Sequence, residues 1–381
     1  MAGKLQVELQ SGDRFLVSIG DTKDPRRRGH VVNLGTKRVF EEAYVGSLLA
    51  HSPYWDSISD DEGAIEALKL VEVYRLQREK YVIKRPTATN NQVNAWSVQY
   101  ISFEPKDWRR TMREELKLAI NELEGNCLYA AYVSESDLLC DVENVLLYNV
   151  GASAFKTLSK NGLCFERGFG STSFPSPDNL SVSHFYHYSQ GNTFRLWKEN
   201  EALAFWREIA LPTPTSTSKP HLFWHALKNG KVTCSYKEVP LKQFGLDIQL
   251  HIPNTSWCNL AVLVKPLLDG VISAFHQQSI PCESIVLQRL SALTDSSLAE
   301  TKRLLYEVVY PVLEARPIIS AFRQGIIWNP GDDACVACRV KVQRSVDNES
   351  WSMNGRLFSV ADNVDVDAAA SRVLTKHIMD F

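Results

Sequence analysis

Residues 211–220 read Leu-Pro-Thr-Pro-Thr-Ser-Thr-Ser-Lys-Pro, and this stretch constrains the architecture more than any other. Its prolines stiffen it, and beyond Leu211 it holds no large apolar side chain, so it can span a gap but cannot enter a core. A chain of 381 residues exceeds what one hydrophobic core usually supports. The stretch is therefore the expected domain boundary, with an N-terminal lobe over 1–210, a linker over 211–220 and a C-terminal lobe over 221–381.

Strand and helix periodicities alternate on both sides of it, which predicts an α/β (α+β) chain of two lobes, each a small mixed sheet with packed helices. In the first lobe, 5–9, 14–19 and 128–133 read as strands, and 181–189 alternates like one. A helix is expected from Asp107, which can cap it, to just before Gly125, which supplies a left-handed stop. In the second lobe, 232–239, 246–252, 335–342 and 351–360 read as strands. A helix over 259–276 is expected to kink at Pro266, and a capped amphipathic helix starts near Asp295.

The hydrophobic share of 44% and charged share of 23% are ordinary for a globular protein. A net charge of −2 argues against the coat of positive charge that non-specific nucleic-acid binders carry, leaving room only for a local basic groove. Lys265, Pro266 and Asp269 interrupt the longest apolar stretch, which reads as a buried helix and implies no membrane. The first residues lack a secretory signal. Eight scattered cysteines do not resemble a disulfide framework. A cytoplasmic protein is expected.

One order of elements occurs twice: an apolar strand, a polar turn ending in Asn, and an apolar helical run. The first copy is 128–133, then Asp141-Val142-Glu143-Asn144 and the run from Val145. The second is 246–252, then Asn254 to Asn259 and the run from Leu260. Asn before a helix is also simply a good cap, so the pattern admits a trivial origin.

The second copy continues with Lys265, then Asp269 one turn later, and far downstream Trp328-Asn329-Pro330-Gly331-Asp332-Asp333 leads into a strand. In this order the chain resembles the RusA-like family of Holliday-junction resolvases, where a strand leads to an Asp-x-Asp-Asn turn opening a helix. A Lys and an Asp follow on that helix, and a Trp and an Asp-Asp pair precede a later strand. The resemblance covers about a fifth of the chain and implies a tandem duplication of the RusA-like fold. It further implies nucleic-acid binding and, where activity is kept, Mg²⁺-dependent endodeoxyribonuclease chemistry. Such chemistry needs carboxylates that converge on the ion and a Lys to stabilise charge.

Asp141 and Glu143 are the expected metal ligands of the first lobe. Asp332 and Asp333 are those of the second, and Lys265, Asp269, Asp332 and Asp333 are its catalytic set. The chain departs from the family where Ser256 and Cys258 stand in place of the turn's two acids, and where six residues separate Asn259 from Lys265. Plainer readings stand beside these. Asp332-Asp333 after Pro330-Gly331 is good turn chemistry. Lys265 with Asp269 can be a helix ion pair worth about 0.3 kcal/mol, and Asp141, Glu143 and Asn144 can be a charged first turn and cap.

DNA or RNA would meet Arg26, Arg27 and Arg28, or Arg109, Arg110 and Arg113, or Lys84 with Arg85, provided these gather on one face. The alternative to an enzyme is an interaction or regulatory subunit of a larger complex that binds a protein partner. Cys335 and Cys338 lie three apart in a strand and so face opposite sides. His184 with His187, and His221 with His225, lack a third ligand at metal-site spacing and read as packing or surface histidines. No P-loop, dinucleotide fingerprint or nucleophile elbow occurs.

Overall fold

A computed structural model describes residues 3–8, 14–19, 30–33, 39–40, 87–89, 91–97, 107–134, 140–169, 184–214, 219–235, 243–256, 258–310, 312–345 and 350–362. The chain divides into two compact units, Met1–Ile83 with Glu104–Thr111, and Lys84–Phe103 with Met112–Phe381. The first contains an antiparallel sheet of β1 (Gly3–Glu8), β2 (Arg14–Ile19), β3 (His30–Asn33) and β4 (Val39–Phe40), in that order.

The second unit is built on one 10-stranded sheet. Its strands are β5 (Thr87–Thr89), β6 (Gln92–Ser97), β7 (Cys127–Ser134), β8 (Gly162–Phe169), β9 (His184–Gln190), β10 (Trp197–Leu211), β11 (Val232–Cys234), β12 (Phe244–Pro253), β15 (Cys335–Ser345) and β16 (Trp351–Asp362). A separate hairpin pairs β13 (Ile319–Phe322) with β14 (Gly325–Trp328). The helices are α1 (Asp107–Asn121), α2 (Pro220–Asn229), α3 (Leu260–Phe275), α4 (Ser284–Thr294) and α5 (Leu298–Tyr306). None of the described helices is long and apolar enough to cross a membrane.

The sheet runs β11-β10-β16-β12-β15-β8-β7-β9-β6-β5. It contains two sets of the same order and sense. In β8-β7-β9-β6 and in β15-β12-β16-β10 the first pair is parallel and the next two pairs are antiparallel. The sets meet where β8 pairs antiparallel with β15. The chain is mixed α/β, with a large mixed sheet and several helices. Within the second unit the two strand sets lie in one sheet, where a small sheet for each lobe was expected, and β1–β4 form a small sheet of their own in the first unit. The seam between the strand sets falls before β10, which precedes 211–220 yet pairs with β16 and β11.

Burial follows the pleat. In β12, Leu246, Ile248, Leu250 and Ile252 are fully buried, each contributing about 2 kcal/mol of apolar burial. Asp247 on the opposite face pairs with Arg339 and Arg356. α2 opens on Pro220 at its first turn and crosses α3 at Gly270, where a Cβ would lie 2.3 Å from the Pro220 carbonyl. Asn259 precedes α3 without a side-chain capping bond, and Ser297, not Asp295, caps α5 through the Glu300 amide. Cys140, Cys164, Cys258, Cys335 and Cys338 are buried free thiols.

A candidate metal centre

Three segments converge at one end of the sheet. After β7 the described chain resumes at Cys140, passes Asp141 and Glu143, and forms a π-helical turn over Asn144–Tyr148. α3 supplies Lys265 and Asp269 on successive turns of one face. The third segment is the 3-10 turn Asp332–Ala334 at the entrance to β15. Topology explains the meeting. β7 is parallel to β8 and β15 antiparallel to it, so β15 begins at the end of the sheet where β7 finishes. Gly331 makes the entry possible with φ at 68°, and a Cβ there would lie 1.6 Å from an Arg316 guanidinium nitrogen.

Lys265 Nζ stands at the centre. It lies 2.7 Å from Glu143 Oε1, 3.1 Å from Asp269 Oδ1 and 3.3 Å from Asp141 Oδ2, and it also pairs with Asp332 Oδ2. Asn144 Nδ2 donates to Asp141 Oδ2 at 2.6 Å. The Glu143 side chain is 2% exposed and that of Asp332 8%, whereas Asp141 is 32% exposed, so the cluster opens towards solvent on the Asp141 side.

One ammonium cannot neutralise four carboxylates. Burial pushes Glu143 up to about 8 against the pull of Lys265, and Asp269 up to about 7 for the same reason. Burial and the neighbouring Asp332 raise Asp141. Burial would raise Asp332, but Lys265 together with hydrogen bonding to Glu143 and Asp141 leaves it lowered. Lys265 itself is raised, its burial overcome by Glu143, Asp269, Asp332 and Asp141. A buried group with this excess of negative charge favours a second cation or bound protons.

One oxygen from each of Asp141, Glu143 and Asp332 lies within 4.8 Å of the others, so these three could hold a metal ion. The donor set is all carboxylate, which suits a hard divalent cation. Residues read as belonging to two lobe sites thus form a single composite site, with Asp141 and Glu143 from the first strand set and Lys265, Asp269 and Asp332 from the second. Asp333 is not brought into it. Successive residues of a 3-10 turn point about 120° apart, and the charge of Asp333 acts on His276 instead.

Three neighbours were not among the site residues expected from the sequence. Tyr148 donates to the Val262 carbonyl at 2.7 Å. Arg167, buried in β8, donates to the Cys140 carbonyl at 3.4 Å, beside Asp141. The Cys335 thiol lies behind the acids, where burial and then Glu143 and Asp332 raise it. At the turn after β12 that matches Asp141–Asn144, Ser256 accepts from Trp351 Nε1 at 3.3 Å and Cys258 is buried.

Of the arginines proposed for nucleic-acid contact, Arg113 alone has a described side chain, half-buried on α1. Arg26, Arg27 and Arg28 lie outside the described residues, as do Lys84 and Arg85 and the side chains of Arg109 and Arg110. His184 bonds Tyr132 and stacks on it, His187 bonds Asn94 and Ser189, and His225 bonds Ser296 and Asn229. No family model, curated protein or solved structure matches this chain.

Proposed function

We propose that this chain binds nucleic acid and cleaves phosphodiester bonds with Mg²⁺ at the composite centre, as a cytoplasmic, two-copy relative of the RusA-like resolvases it resembles. One observation carries the reading. Four carboxylates from segments up to 191 positions apart (332 − 141) surround one lysine at a point that three of them could share with a metal ion. In a protein core such an arrangement is costly without a ligand to balance it.

Asp141, Glu143 and Asp332 would hold the ion, which when bound supplies Lewis-acid polarisation of the phosphate and of the attacking water. Asp269 pairs with Lys265, whose ammonium would move from among the three ligands when the ion binds and stabilise negative charge developing on the phosphate. Asp141, the most exposed of the acids, faces the approach of the substrate.

The test is Mg²⁺-dependent cleavage of branched and linear DNA. Cleavage by the wild-type chain should disappear in Asp332→Asn and in Asp141→Asn, and cleavage that survives both would remove the site. A second reading has its own support, because Lys265 already pairs with all four acids and so forms a self-contained network. On that reading the chain is a non-enzymatic interaction subunit, and it would neither cleave nor shift DNA nor bind the metal.

A further inference from the structure

Pro266 lies inside α3 and has no amide hydrogen, so the carbonyl of Val262, four residues earlier, lacks the donor a helix would give it. Val262 is half-buried, and a carbonyl left unpaired out of reach of water is expensive. Tyr148 of the first strand set fills the vacancy: its hydroxyl donates to the Val262 carbonyl at 2.7 Å. The same oxygen accepts from the Lys265 amide at 3.3 Å. Burial raises the Tyr148 hydroxyl above its ordinary range, so it remains a donor. Asn144, four residues before Tyr148 on the same π-helical turn, bonds Asp141. That turn therefore touches both a candidate ligand of its own set and the lysine-bearing backbone of the other set, and π-turns recur at functional sites.

We infer that Tyr148 is the positioning residue of the composite site: by bonding α3 at the carbonyl that Pro266 leaves without its helical donor, it fixes the depth at which Lys265 reaches the carboxylates. The inference takes the centre proposed above as its premise, but it concerns the chain's own residues and is tested without activity. A merely structural tyrosine would stabilise the fold whatever side chain stood at 265. A positioning tyrosine loses most of its effect once the ammonium it places is gone.

The experiment is a double-mutant cycle on the full chain in metal-free buffer, with unfolding equilibrium constants for wild type, Tyr148→Phe, Lys265→Met and the double variant. Each single substitution should raise the unfolding constant about tenfold or more, and the double variant should exceed Lys265→Met by no more than about threefold. Single effects that multiply in the double variant overturn the inference. Should Lys265→Met not fold, Lys265→Gln, which keeps donors among the carboxylates, takes its place in the cycle. Mn²⁺ binding to the wild type, measured in parallel, decides the metal reading separately: absence of binding sinks that reading while the cycle still decides on Tyr148.

Discussion

Glu143 is the residue on which the centre's charge balance turns, because it is fully enclosed and must share one lysine with three other acids. Its folded value of about 8, against an ordinary 4.5, means that the folded chain binds a proton which the unfolded chain has released. Stability from this group is complete at low pH and is lost as pH rises through about 8. Asp269 acts with the same sign up to about 7. Below the ordinary histidine value of 6.5 the buried His187 and His276, lowered to about 3 and about 4, pull the other way by making the fold less stable as pH falls. The informative window therefore lies between about 6.5 and about 8. Across it the melting temperature without metal should fall, and millimolar Mg²⁺ should flatten the fall while releasing protons. A melting temperature that is level across that window without metal would show that the acids carry no excess proton.

At the scale of elements, the turn leading into β10 is held by another buried carboxylate. Glu166 in β8 accepts from the Tyr129 hydroxyl (2.7 Å) and from the amides of Arg195 (2.7 Å), Leu196 (3.0 Å) and Trp197 (3.0 Å). Burial raises its pKa despite these donors. Glu166→Gln turns an amide NH₂ towards backbone N–H groups and should cost about 3 kcal/mol, read as a lower denaturation midpoint with an unchanged slope. Nothing in the sequence marks this role, since Glu166 lies in a run of eight buried or half-buried residues that shows no alternation. β10 was equally hidden: register shifts at Glu199/Glu201, Ala202/Ala204 and Trp206/Ile209 break its period of two. Strands with one clean buried face, such as β12, and helices with a single apolar stripe, such as α1, were legible because nothing disturbs their period. The acids and Lys265 were legible one by one as residue types at turns and on a helix face. Their assembly into one centre was not, because it depends on the β8–β15 pairing, which no local pattern encodes.

That pairing also decides how the second unit holds together as a whole. Separating the strand sets would expose the edges of β8 and β15 and unpair Lys265 from Asp141 and Glu143 at once. β10, before the Pro/Thr stretch, pairs with β16 almost to the end of the described chain, so the two strand sets are joined by more than that stretch. A protease site inserted within 212–219, cut after folding, tests this directly. The two fragments should co-elute in size exclusion and separate only in denaturant, and the nicked chain should keep its pH-dependent melting, since no strand pair and no member of the acid cluster is lost by the cut. Independent domains joined by a linker would instead come apart once nicked, leaving Asp141 and Glu143 in one fragment and Lys265, Asp269 and Asp332 in the other. Fragments that separate under native conditions would break the single-sheet description, and with it the reason why acids so far apart in sequence meet at all.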